Sequence, residues 1–82
     1  MNFLKKISII ELGKIINAKI IGKTTLYIKG LNEIHKVEEG DIVFVDNKKY
    51  YHKALNSKAS AIIINDESVD VPKGKAILFS KN

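Results

Sequence analysis

Two aromatic residues and a side-chain amide lie close together mid-chain: Phe44, Asn47 and Tyr50, within Gly40-Asp41-Ile42-Val43-Phe44-Val45-Asp46-Asn47-Lys48-Lys49-Tyr50-Tyr51. Ile42–Val45 is β-branched and apolar, which predicts a strand buried on both faces and central in a sheet. Asp46 is placed to cap a helix running from about Asn47 to Leu55, with Tyr51, Ala54 and Leu55 on its inner side. Phe44 then sits near the carboxyl end of a strand and Tyr50 in the first helical turn. Strand ends that feed helix starts are common ligand positions in α/β folds. Two rings flanking such a turn can leave a flat slot between them. A nucleobase has a π-face on each side, and stacking is worth ~1–3 kcal/mol per base. The Asn47 amide carries one acceptor and two donors, so it can pair reciprocally with the imide edge of uracil. Lys48 and Lys49, beside the start of the helix, are candidate phosphate contacts. The same residues also have a plainer reading. Phe44 would be core, Tyr50 would pack its ring and wet its hydroxyl, Asn47 would be a cap or turn residue, and the lysines would be solvated.

Other chemistry is sparse. His35 and His52 have no serine, cysteine or carboxylate at a recognisable catalytic or metal-binding spacing, and no metal site is expected. Asp41 and Asp46 flank the Ile42–Val45 strand at opposite ends, which suits turn and cap roles better than paired catalysis. The glycines form no phosphate-loop spacing. Cysteine is absent, which excludes disulfides and thiolate metal sites and fits a reducing cytosol. The net charge is +5, and all 14 basic residues are lysines. Arginine supplies the planar fork that reads guanine edges and grips phosphate. Its absence, with the lysines scattered, argues against nucleic acid, although a basic nucleic-acid module remains an alternative.

The elements that must position these residues fit one small domain of 82 residues. Lys5, Lys6 and the isoleucines after them resemble the start of a secretion signal, but Glu11 and Lys14 interrupt the apolar run too early. No segment reaches the ~18 apolar residues of a membrane span. Ser8-Ile9-Ile10-Glu11 has capping-box spacing, and Ile7 and Leu12 fall at the two positions of a hydrophobic staple. A helix is predicted from about Ile9 to Ile16, with Ile9, Leu12, Ile15 and Ile16 facing the core and Asn17 as its left-handed stop. Strands are predicted at Lys19–Ile21 and Leu26–Lys29, closed by Gly22 and Gly30. Leu31–Val37 reads as strand or turn, and Glu38–Asp41 as a turn. Further strands are predicted at Ala59–Ile64 and Ala76–Phe79, with a loop over Asn65–Pro72. The fold class is α+β: a small mixed sheet packed against two helices.

At the central stretch the chain resembles the UDP-3-O-acylglucosamine N-acyltransferases of lipid A synthesis. Their N-terminal domains carry a segment similar to Gly40-Asp41-Ile42-Val43-Phe44-Val45-Asp46-Asn47-Lys48-Lys49-Tyr50, with proline where Lys48 stands. Gly30-Leu31-Asn32-Glu33-Ile34 and Ser57-Lys58-Ala59-Ser60-Ala61-Ile62-Ile63 resemble two further family segments, and the likeness extends over roughly Ser8 to Asn82. The resemblance implies a uridine-recognition domain, with uracil held between Phe44 and Tyr50 and contacted by Asn47. It implies a cytoplasmic enzyme of a Gram-negative bacterium that needs no cofactor. The full-length enzyme would move a 3-hydroxyacyl chain from acyl carrier protein to the 2-amine of a UDP-3-O-acyl-glucosamine and assemble as a trimer. In the family a left-handed β-helix holds the catalytic histidine. This chain has no hexapeptide repeat, so residues 1–82 are expected to be the recognition domain without the catalytic one, inactive alone. The related N-terminal domain of muramyl-peptide ligases, which also meets UDP-sugars, is the alternative.

Overall fold

A computed structural model describes residues 1–81. The elements run β1 (Asn2–Ser8), α1 (Ile9–Ile15), β2 (Lys19–Gly22), β3 (Tyr27–Leu31), β4 (Asp41–Val45), a 3-10 turn (Lys48–Tyr50), α2 (Tyr51–Leu55), β5 (Ala61–Ile64) and β6 (Ala76–Phe79). They form one six-stranded sheet of order β1-β3-β4-β5-β6-β2. The four inner strands are parallel, and β1 and β2 pair antiparallel at the two edges.

Strand side chains alternate between the two faces, and two cores result. Ile42, Ala61, Ala76 and Leu78 point to one face, where Ile9 and Leu12 of α1 cover them. Val43, Val45, Ile62 and Ile77 point to the other, under Ala54 of α2. This is the expected mixed sheet with two helices, one on each face.

Local signals explain the first helix. Ser8 Oγ accepts the Glu11 N–H at 3.1 Å, and Ile7 and Leu12 join the same core. Asn17 takes the left-handed conformation, with φ of 55°, just past the helix end. Ile15 departs from expectation and is 66% exposed. Six residues at about 100° each place it some 120° around the axis from Ile9, whereas Gly13 and Ile16 return to within about 40°.

Several boundaries also differ, among them Gly22, which lies within β2, and Tyr27, where β3 begins. Asn2–Ser8 is an edge strand where none was expected; its partners lie 19 to 28 residues on, and its exposed lysines disguise it. Charged residues on an edge discourage further strand pairing. Gly30 lies inside β3 rather than ending it, paired with Asn2 on one side and Asp41 on the other, where a Cβ would come within 2.5 Å of the Met1 carbonyl oxygen just before β1. Asn47, not Asp46, caps the segment after β4, and the expected helix from Asn47 is split into a 3-10 turn and α2. β5 begins at Ala61 rather than Ala59.

Candidate functional site

β4 carries Phe44 to the carboxyl end of the parallel strands. Ile42, on the same face, is 1% exposed, whereas Phe44 is 51% exposed. Phe44 therefore belongs to neither core. It borders an open cleft of about 450 Å³ shared with Leu31, Asn32, Glu33 and Lys36, within the roughly 300–1,000 Å³ typical of ligand sites.

The turn that follows is fixed from both ends. Val45 is buried on the α2 side. Asn47 is extended (φ −108°, ψ 119°), and its Oδ1 accepts the Lys49 N–H at 3.0 Å. The Tyr50 N–H donates to the Asn47 carbonyl at 2.9 Å. Tyr51 packs against the α2-side core, and its hydroxyl donates to Asn65 Oδ1. Asn65 Nδ2 donates in turn to the Asp46 carbonyl at 3.2 Å. Asn65, just past β5, thus ties the β4 turn to the neighbouring strand end. Its place after the apolar run Ala61–Ile64 is the only sequence signal for that role.

Tyr50 is 43% exposed and outside both cores. The Lys49 ammonium lies 5.6 Å from its ring centroid, within cation–π range. Lys48 borders a different cleft with Tyr51, His52 and Asp66. Hydrogen bonds from Ser68 hold the Asp66 carboxyl below the usual range, and the charge of Lys48 adds to this. The fold thus places Phe44 and Tyr50 at the two ends of one turn, with Asn47 between them. The Asn47 cap uses one lone pair of Oδ1; Nδ2 makes no protein hydrogen bond among the described residues.

The turn between β3 and β4 forms the other wall of the Phe44 cleft. Asp41 is 1% exposed, and its Oδ2 accepts Asn32 Nδ2 at 2.8 Å and the Glu38 N–H at 3.0 Å. Desolvation pushes the Asp41 carboxyl up, but these two hydrogen bonds and the charge of Lys29 together hold it below the ordinary aspartate value. Oδ1 has no partner. Asn32 and Lys36 were not singled out as site residues from the sequence; both lie in the ambiguous Leu31–Val37 stretch, and Asn32 also in the Gly30–Ile34 segment that resembles the family.

The two histidines lie apart from this site. His35 Nε2 sits 3.1 Å from Glu33 Oε2 on the surface, and the His52 ring lies 3.3 Å from Asn56 Nδ2 on α2. Among the described residues no group of three or more His, Cys, Asp or Glu side chains is arranged to hold a metal ion. No helix among them is long and apolar enough to cross a membrane.

The sequence pattern of the UDP-3-O-(3-hydroxymyristoyl) glucosamine N-acyltransferases matches residues 25–82, which include the whole turn. A protein of that name from Wigglesworthia glossinidia brevipalpis is 32% identical over 73 residues, 89% of this chain and 22% of its own length. A UDP-3-O-acylglucosamine N-acyltransferase from Nitrosococcus oceani is 29% identical over 77 residues, 94% of this chain and 22% of its own. One from Ruthia magnifica is 30% identical over 56 residues, 68% and 17% respectively. The chain therefore spans about a fifth of the length of these relatives. With two thirds of its residues inside the family pattern, the chain belongs to the UDP-3-O-acylglucosamine N-acyltransferase family.

Proposed function

We propose that this domain recognises the uridine end of a UDP-3-O-acyl-glucosamine on behalf of an N-acyltransferase in lipid A synthesis. Uracil lies between Phe44 and Tyr50. Asn47 Nδ2 donates to a uracil carbonyl, and the remaining lone pair of Oδ1 accepts the imide N–H. Lys48 and Lys49 add positive charge around the turn. The observation that carries this reading is the state of the turn. It has two half-exposed rings outside both cores, with an anchored amide between them whose nitrogen has no protein partner among the described residues. Large apolar rings left out of a core at the carboxyl end of parallel strands are what a stacking site requires.

The full-length enzyme would be a cytoplasmic trimer that takes a 3-hydroxyacyl chain from acyl carrier protein and places it on the 2-amine of the sugar. This domain would orient the distant nucleotide and contribute no reacting group. Family membership favours this reading over the muramyl-peptide ligase alternative, and the absence of arginine disfavours nucleic acid. Competition between UMP and CMP for the chain tests it. UMP should bind more tightly, because cytosine lacks the imide proton and replaces a carbonyl with an amine. Equal binding would leave Asn47 with its capping role alone.

A further inference from the structure

The cleft beside Phe44 is lined by the apolar Met1, Leu31 and Phe44 and the polar Asn32, Glu33 and Lys36. Two cations line it, Lys36 and the Met1 ammonium, and the latter already donates to the Leu31 carbonyl at 2.7 Å and to Asn32 Oδ1 at 3.0 Å. Lys36 forms no ion pair among the described residues, whereas nearby Lys29 faces Glu38 at 3.5 Å. The turn that carries it is anchored at several points. The Lys36 N–H bonds the Glu33 carbonyl at 2.9 Å, Ile34 and Val37 seat in the α2-side core, and Asn32 is held by Asp41 at 2.8 Å. The lysines of the Asn47 turn do not line this cleft. Lys49 lies over the Tyr50 ring, and Lys48 borders another cleft.

We infer that Lys36 is the principal phosphate contact of this site: a nucleotide whose base stacks on Phe44 places its anionic group at the Lys36 ammonium, which lines the same cleft. The inference rests on the base slot proposed above and goes beyond it by naming the residue that separates a nucleotide from a nucleoside. Glu33 lines the same cleft, with its carboxylate toward His35 at 3.1 Å, and opposes an anion there. Binding should therefore reflect both charges.

The test is an NMR titration of the 82-residue chain with uridine and with UMP at low ionic strength, where exposed charges are least screened. The wild-type chain should bind UMP about two- to fivefold more tightly than uridine, the worth of one exposed ion pair. Lys36→Gln should bring UMP down to the level of uridine while leaving uridine unchanged. Glu33→Gln should widen the ratio, and the Lys48→Gln/Lys49→Gln double variant should retain most of it. A ratio of one in the wild-type chain, or an unchanged ratio in Lys36→Gln, overturns the assignment of Lys36 while leaving the base slot standing. A chain whose spectrum does not respond to uridine overturns the base slot and this inference with it.

Discussion

Asn47 Oδ1 accepts the backbone N–H of Lys49 at 3.0 Å, and this bond fixes the amide between Phe44 and Tyr50. A side chain that caps a turn cannot rotate freely, so the nitrogen that the proposed uracil contact requires is held in one place. Capping and recognition are therefore compatible in this residue, and they can be separated by substitution.

Asn47→Ser keeps an oxygen that can cap and removes the amide nitrogen. Its stability in urea should match the wild-type chain, since serine and asparagine cap about equally well, whereas Asn47→Ala should cost about 0.5–2 kcal/mol. Both variants should lose the preference for UMP over CMP, worth about 1–3 kcal/mol if a mispaired polar group is buried. A serine variant that retained the preference would remove Asn47 from base recognition.

Phe44→Ala should weaken binding of a uridine nucleotide by about 1–3 kcal/mol, the stacking contribution. Because Phe44 is half exposed and outside both cores, it should destabilise the fold less than Ile62→Ala, a core truncation expected to cost about 2–5 kcal/mol. Tyr50→Ala should behave like Phe44→Ala. In a full-length enzyme both should raise KM more than they lower kcat, since the base is remote from the reacting amine. Titration and urea denaturation of the same variants check both parts.

Much of this was legible in the sequence. The Ser8 cap, the left-handed Asn17 and the central β4 all depend on neighbours within a few residues or on a continuous apolar run. Long-range partners account for what was missed. β1 is a strand because it pairs with β3, and Gly30 is a glycine because the Met1 carbonyl lies against it. The rings and amide of the site could be read as a group from their spacing around the turn. The Leu31–Lys36 wall could not, because only the parallel pairing of β3 with β4 brings it beside Phe44.

Acid should loosen the β3–β4 turn through Asp41. Its carboxyl is held below the ordinary value of about 3.9, so in the folded state it stays ionised to lower pH than in the unfolded chain. The resulting stability is fully present above the unfolded value and is lost as pH falls through the folded one. Between about pH 5 and 2, Asp41→Asn should show a flatter loss of stability than the wild-type chain, measured by urea midpoints. An equally steep acid limb would show that Asp41 contributes nothing to it.

The purified chain should transfer no acyl group from an acyl carrier protein to a glucosamine amine. His35 pairs with an exposed Glu33, and His52 lies beside Asn56, so neither is placed as a general base in a formed site. Detectable turnover, followed by mass spectrometry of the product, would contradict the assignment of recognition without catalysis.

The most direct test of the uridine slot is the site of chemical-shift change when UMP is added to the isotope-labelled chain. An isolated base slot must offset the lost freedom of association, so a dissociation constant around millimolar, about 4 kcal/mol, is expected. The expected result is small, fast-exchange shifts confined to Phe44, Asn47, Tyr50 and their neighbours, including the Leu31–Lys36 wall. Shifts centred on another surface, or none at millimolar UMP, would contradict the proposal that this turn binds uridine.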